Sequence, residues 1–197
     1  MNVGIFMPTE VEPLILSLAL ASLGVQSVIG APSVLSERDG DALRSALTSF
    51  ELRSFIFEST FQHAVNIKHV ERVIEEAHYL PPVGVHFKSR QFPHLLHIMH
   101  TDRDIAGPLI SLFRLPVLNP MPDRTKKFTA ATDPDQPILS PLAVTPINPS
   151  FTQRQLLDVS AYLAQATRLS VTERVCFATV PGDSVAHALQ LATIQTG

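Results

Sequence analysis

Short apolar runs alternate with capped helical stretches along the first hundred residues, and that alternation restricts the fold more than any other feature. Val3–Met7 is an apolar run closed by Pro8. Thr9 and Glu12 then have the spacing of a capping box, in which a hydroxyl and a carboxylate reciprocally satisfy free amides at a helix start. The helix expected over residues 10–23 is apolar on nearly every side, which suits burial within a larger body, and Gly24 supplies its stop. Gln26–Ile29 reads as a second strand. Ser36 with Asp39 opens a further helix through Leu43 and Leu47, and Leu52–Phe57 reads as a third strand. Residues 66–78 carry Ile67, Val70, Val73 and Ile74 as a helical stripe, with Glu71, Glu75 and Glu76 outside it. Val83–Phe87 and Leu95–Met99 are two further strand candidates. Strands separated by helices favour parallel βαβ units and a layered α/β fold.

The rhythm breaks after residue 104. Nine prolines fall between Pro108 and Pro149, and proline removes the amide that a central strand needs. Residues 105–149 are therefore expected to be an irregular crossing segment between a first α/β part, 1–104, and a second, 150–197. In the second part Ser150 with Gln153 has capping-box spacing. The helix after it is expected to carry Leu156, Leu157, Val159 and Leu163 on one face. Arg174–Val180 reads as a strand, and Val185–Ile194 as a last helix.

Composition closes several function classes. With 45% apolar and 17% charged residues in 197, the chain is expected to bury a core as one domain or one lobe of a larger enzyme. A formal net charge of -3 gives no basic field, so no nucleic-acid partner is expected. No apolar run approaches the ~20 residues of a membrane span, and the first residues lack the basic flank and cleavage site of a signal peptide. The expectation is a soluble, intracellular protein, mitochondrial or cytoplasmic, although Cys176, the single cysteine, leaves the redox compartment open.

Candidate chemical groups are few. His94, His97 and His100, followed by Asp102, are the residue types of a zinc site, which needs three or four donors converging on one point. On a strand His97 points away from His94 and His100, and on a helix the i,i+3,i+6 spacing drifts around the surface. Surface or edge histidines are the expectation, and no metal. Cys176 lies in an apolar run with Arg174 two residues away, and a buried, inert thiol is expected there. Pro181-Gly-Asp-Ser184 precedes a helical stretch. Its amides are placed to meet an anion, but Asp183 or Ser184 as a simple cap is the plainer reading. Arg124, Lys126 and Lys127 read as a solvated loop.

The glycines say more by where they are absent. They stand at 4, 24, 30, 40, 84, 107, 182 and 197, and no two are close enough for a G-x-G-x-x-G or Walker-type loop. A backbone wrapped closely around a phosphate needs positions free of a Cβ.

Taken in order, the segments resemble the N-terminal lobe of the adenylate-forming superfamily, specifically the acyl-CoA synthetases. Val3-Gly-Ile-Phe-Met-Pro8 is similar to that family's early strand, and Leu18–Gly24 and Leu43–Leu47 to the two helices after it. Phe92–Ile98 resembles a later strand entry, and Asp133–Ile138 the run-up to the ATP motif. Ala143–Thr145 and residues 153–166 resemble the segments just past that motif, and Glu173–Phe177 the next strand. The resemblance implies an α/β, layered βαβ lobe matching part of that N-terminal domain and incomplete at both ends.

Every departure falls at a functional position. Family members carry a Ser/Thr/Gly-rich loop ending in Pro-Lys-Gly that holds the ATP phosphates. Here Leu139, Ser140, Pro141 and Leu142 stand in its place. The family's next motif sets an aromatic residue and a histidine after a proline, where this chain has Pro181, Gly182, Asp183 and Ser184, with Ser184 at the histidine position. The magnesium-binding glutamate and the mobile lobe with its catalytic lysine would lie beyond Gly197. The resemblance therefore carries over no catalytic or cofactor-binding residue. It implies a degenerate, non-catalytic scaffold or interaction module that needs a protein partner or self-association. ATP, magnesium and CoA enter only on the alternative of a fragment or subunit of an active fatty-acid ligase. A further alternative is an acyl or nucleotide binding module without turnover.

Overall fold

The computed structural model describes residues 1–8, 11–36, 40–61, 64–79, 87–102, 109–112, 133–142, 150–168 and 188–193. Its elements in chain order are β1 (Asn2–Phe6), α1 (Val11–Ser22), β2 (Gln26–Gly30), α2 (Ser33–Ser36), α3 (Asp41–Ser49), β3 (Ser54–Phe57), β4 (Thr60–Phe61), β5 (Ala64–Val65) and α4 (Asn66–Val73). A 3-10 turn (Glu75–Tyr79), β6 (His97–His100), β7 (Ile110–Ser111), β8 (Pro137–Pro141), β9 (Phe151–Thr152) and α5 (Gln153–Thr167) complete the series, and residues 188–193 are helical. The α/β alternation expected from the sequence is present. The chain divides into two discontinuous units, Met1–Pro8 with Pro32–Thr129 and Thr9–Ala31 with Ala130–Gly197. These differ from the continuous division 1–104, 105–149 and 150–197.

In the first unit the strands run parallel in the order β7-β6-β3-β1. In-register partners on a parallel sheet share a face, so Phe6, Phe57, His100 and Ser111 form one row across it. Phe55 joins from the row behind, and the rings of Phe6, Phe55, Phe57 and His100 succeed one another at centroid distances of 5.9, 5.7 and 6.4 Å. That spacing is favourable for tilted aromatic pairs. Gly4 makes room for the row, since a Cβ there would lie 2.9 Å from Leu52 Cδ1 and 3.0 Å from Phe55 Cβ.

The helices of this unit bury one stripe each: Leu43, Ala46 and Leu47 on α3, Val70 and Val73 on α4. The predicted helix over 66–78 is broken at Ile74, after which the chain tightens into the 3-10 turn. Its Glu76 carboxylate accepts the Ser89 hydroxyl at 3.0 Å and the Arg90 amide at 2.8 Å. The Arg90 amide, more than the other neighbours, holds that carboxyl below its ordinary range. The predicted Ser36–Asp39 start is replaced by two helices, with Gly40 as the N-cap of α3 at φ 69 and no side-chain cap. A Cβ on Gly40 would run into Val73 Cγ2, which explains why glycine rather than a capping side chain stands here. The Val83–Phe87 candidate lies outside the described residues except for Phe87.

In the second unit β2 pairs parallel with β8, and β8 antiparallel with β9. The segment 105–149 is thus not irregular throughout, since it supplies β7 and β8. Proline is tolerated in β8 because Pro137 opens the strand beside a register shift and Pro141 closes it. Leu142 N then donates to Ile29 O at 2.7 Å and restores the ladder. Helix α1 ends as Gly24 turns to φ 68, with Val25 N on Leu20 O and Gly24 N on Ala21 O. That is the paired bonding of a Schellman stop. The α5 capping box stands two residues later than predicted. Thr152 Oγ1 accepts Gln155 N at 3.2 Å, and Gln155 Oε1 accepts Thr152 N at 3.0 Å. Phe151 and Thr152 are first used as β9, which delays the helix. On α5, Leu156 and Ser160 are buried whereas Leu157 and Val159 are exposed, so the predicted single face of Leu156, Leu157, Val159 and Leu163 is split.

Candidate functional site

Two places have the residue types or the position of a site: the β8–β9 connection and the carboxyl end of β6. At the first, Leu139, Ser140 and Pro141 belong to β8 and Leu142 comes directly after it. Leu139 is 2% exposed and Ser140 1% exposed. The Ser140 hydroxyl accepts Gln26 Nε2 at 2.7 Å, and the Leu142 amide is taken by Ile29 O. A phosphate loop needs several free backbone N–H groups turned toward one anion. These residues are a buried strand whose polar groups already serve the sheet, so they do not fit that role. The connection itself, Ala143-Val-Thr-Pro-Ile-Asn-Pro149, contains neither glycine nor lysine and lies outside the described residues. Pro181, Gly182, Asp183 and Ser184 also lie outside them, as do Cys176, Arg174, Arg124, Lys126 and Lys127.

At the second place the three histidines occupy three environments. His94 is exposed in the turn before β6. His97 is half-buried and its Nδ1 lies 3.3 Å from Ser54 Oγ. His100 is 0% exposed, which corrects the expectation of surface or edge histidines. Strand alternation turns His97 and His100 to opposite faces, and His100 is enclosed because β6 has β3 on one side and β7 on the other. Among the described residues no three His, Cys, Asp or Glu side chains converge as a metal site would require.

Around His100 and Asp102 the structure gathers polar groups, Ser59, Asn66 and Ser111, that the sequence did not single out. Asp102 N donates to His100 Nδ1 at 3.2 Å, Ser111 Oγ donates to Asp102 O at 2.6 Å, and Ser59 Oγ donates to Asp102 Oδ2 at 3.5 Å. Asn66, at the start of α4, donates through Nδ2 to Glu58 O at 2.8 Å. Ser59, Asn66 and Ser111 are all buried. Burial of the ring, only partly offset by the Asp102 charge, pushes the His100 pKa below the ordinary histidine value. The cluster lies past the carboxyl ends of parallel strands, where open α/β sheets hold ligands. The one sequence signal for it is the two-residue period that turns His100 to the face opposite His97; its place on the Phe57 row comes from the β3–β6 register.

The architecture is an α/β lobe whose fold is similar to part of two solved acid–CoA and acid ligases. The chain aligns over 100% of its length with a long-chain-fatty-acid–CoA ligase from Archaeoglobus fulgidus, at a TM-score of 0.67 and 14% identity, covering 33% of that chain. It also aligns over 95% of its length with a mutant form of coronafacic acid ligase from Pectobacterium brasiliense, at a TM-score of 0.55 and 13% identity, again covering 33%. At these identities the likeness is one of fold, and the chain spans about a third of each ligase's length. No protein-family model matches the sequence, nor does any curated protein. Among the described residues no helix is long and apolar enough to cross a membrane.

Proposed function

We propose that this chain is a degenerate adenylate-forming domain, non-catalytic by itself, that works as a scaffold or interaction module. The observation that carries the reading is the buried strand Leu139–Pro141 leading into a connection without glycine or lysine. Adenylate formation depends on preorganised positive charge and amides around the phosphates; neither residue set contains a cation, and the polar groups of Leu139–Leu142 are already engaged within the sheet. The interaction role is supported by the exposed apolar side chains of α1, where Val11, Ile15 and Leu18 are open to solvent. The occupant of that face is a protein partner or a second copy of this chain. The decisive experiment is acid-dependent exchange of pyrophosphate into ATP with magnesium, beside thermal shifts with ATP, AMP, CoA and fatty acids. The expected result is no exchange and no shift. A shift without exchange would favour a binding module for acyl groups or nucleotides.

The second reading is a subunit or fragment of an active ATP-dependent acyl-CoA ligase, favoured by coverage of about a third of two such enzymes. It predicts exchange activity once the remaining parts are supplied by another chain. Activity of the completed assembly that survives replacement of Leu139–Leu142 would place the phosphate site on the other chain.

A further inference from the structure

The buried His100 is bonded in a way that only its neutral form can sustain. Its Nδ1 accepts the Asp102 amide, so the single proton of the neutral ring sits on Nε2. A second proton would occupy Nδ1 and set a ring N–H against a backbone N–H. Asp102 is also where the neighbouring strands are tied, through Ser111 of β7 onto its carbonyl and Ser59 beyond β3 onto its carboxylate. The only β7 pairing among the described residues is Met99 with Ile110 and His100 with Ser111. The Asp102 corner is therefore a large share of what holds that edge strand.

We propose that His100 is an acid-sensitive latch, whose protonation releases the Asp102 corner and with it β7 from the edge of the first unit's sheet. The groups facing the ring leave Asp102 as the one charge acting on it among the described residues. Phe57 of β3 and Ser111 of β7 are neutral, and His97 is on the opposite face. The Asp102 carboxylate favours the imidazolium, but loss of hydration on burial outweighs it. The folded-state value thus lies below the unfolded one, and the unfolded chain binds the proton more readily. The latch is complete above the unfolded histidine value and weakens as pH falls toward the folded one.

Amide hydrogen exchange on the full chain tests this, expressed as protection relative to the unfolded peptide at about pH 7.5 and about pH 5.5. Protection at Asp102 and Ser111 is expected to fall by up to about tenfold in acid while Gly4–Phe6 on β1 changes little. His100→Asn keeps an acceptor near the Nδ1 position without a titrating group, and should hold protection at both pH values. Asp102→Asn removes the charge that favours the imidazolium, and should move the transition to lower pH. Unchanged protection in the wild type, a simultaneous loss across β1 and β7, or the same acid response in His100→Asn would overturn the latch. Should that variant fail to fold, the imidazole titration of wild-type His100 monitored by NMR decides. A midpoint below that of unfolded histidine, moving together with the Asp102 amide signal, supports the latch. A midpoint at or above it overturns it.

Discussion

The two units treat the apolar surface of their helices in opposite ways. In the first, α3 and α4 turn Leu43, Ala46, Leu47, Val70 and Val73 inward, and their fully exposed positions are polar or charged. In the second, α1 buries Pro13, Leu14 and Ser17 but leaves Val11, Ile15 and Leu18 at 65%, 59% and 42% exposure. Helix α5 likewise buries Leu156 and Ser160 while Leu157, Val159 and Tyr162 stay exposed. Apolar content alone does not produce burial. A helix with one stripe satisfies that stripe against one sheet, whereas α1, with Glu12 its only charge, has apolar side chains on more sides than one sheet can cover. The first unit is complete in its own packing at these helices. The second leaves apolar side chains of both helices exposed.

Substitutions inside the first unit should therefore act on stability alone. Phe55→Ala removes a ring with 0% exposure that lies between Phe6 and Phe57, and is expected to cost about 3–5 kcal/mol in urea unfolding. A loss below about 1 kcal/mol would mean that the ladder collapses around the gap, and the contrast in packing would fail. Gly40→Ala combines a left-handed backbone at φ 69 with a methyl group driven against Val73. The conformational part alone is worth about 1–2 kcal/mol, so a total near 2 kcal/mol or more is expected by the same measurement. A neutral outcome would show that α3 and α4 are packed more loosely than the geometry implies.

In the second unit Thr152→Ala removes the hydroxyl that caps α5, with an expected loss of about 1 kcal/mol. Thr152→Asp should restore most of it, because a carboxylate accepts the same amide and suits a helix N-terminus. Failure of that rescue would show that pairing of β9, not the cap, sets where α5 begins.

How much of this the sequence discloses depends on whether the deciding contact is local. The stripe Val70, Val73 and Ile74 was readable because helical period and burial agree within a few residues. The α5 start was misplaced because Ser150 and Thr152 are equally good caps, and the choice falls to Phe151–Thr152 pairing with β8. The prolines at 137 and 141 argued against a strand, but they occupy only its ends. His100 could not be assigned to the interior from its neighbours in sequence, since its cover comes from Phe57 and Ser111, far along the chain. At Leu139–Leu142 the absence of glycine and lysine is legible in the sequence, and only the resemblance assigns that absence to a phosphate loop. That Leu139–Pro141 form a buried strand beside β2 is not legible there, because the register comes from a non-local partner.

The smallest expected change in stability separates the two units most sharply. Ile15→Lys and Leu18→Lys replace exposed apolar side chains by a good helix former, so the isolated chain should keep its stability within about 0.5 kcal/mol. If the open face of α1 binds a second copy or a partner, the same substitutions bury a charge at the contact and weaken association while leaving unfolding unchanged. Sedimentation or native mass measurement of the wild type and the double variant over a range of concentrations checks this. A wild type that stays monomeric and a variant that behaves identically would remove self-association and leave only a different partner. A clear loss of stability in the variant would instead mean that this side of α1 is covered within the chain itself, and the two units would then not differ in the way their helices suggest.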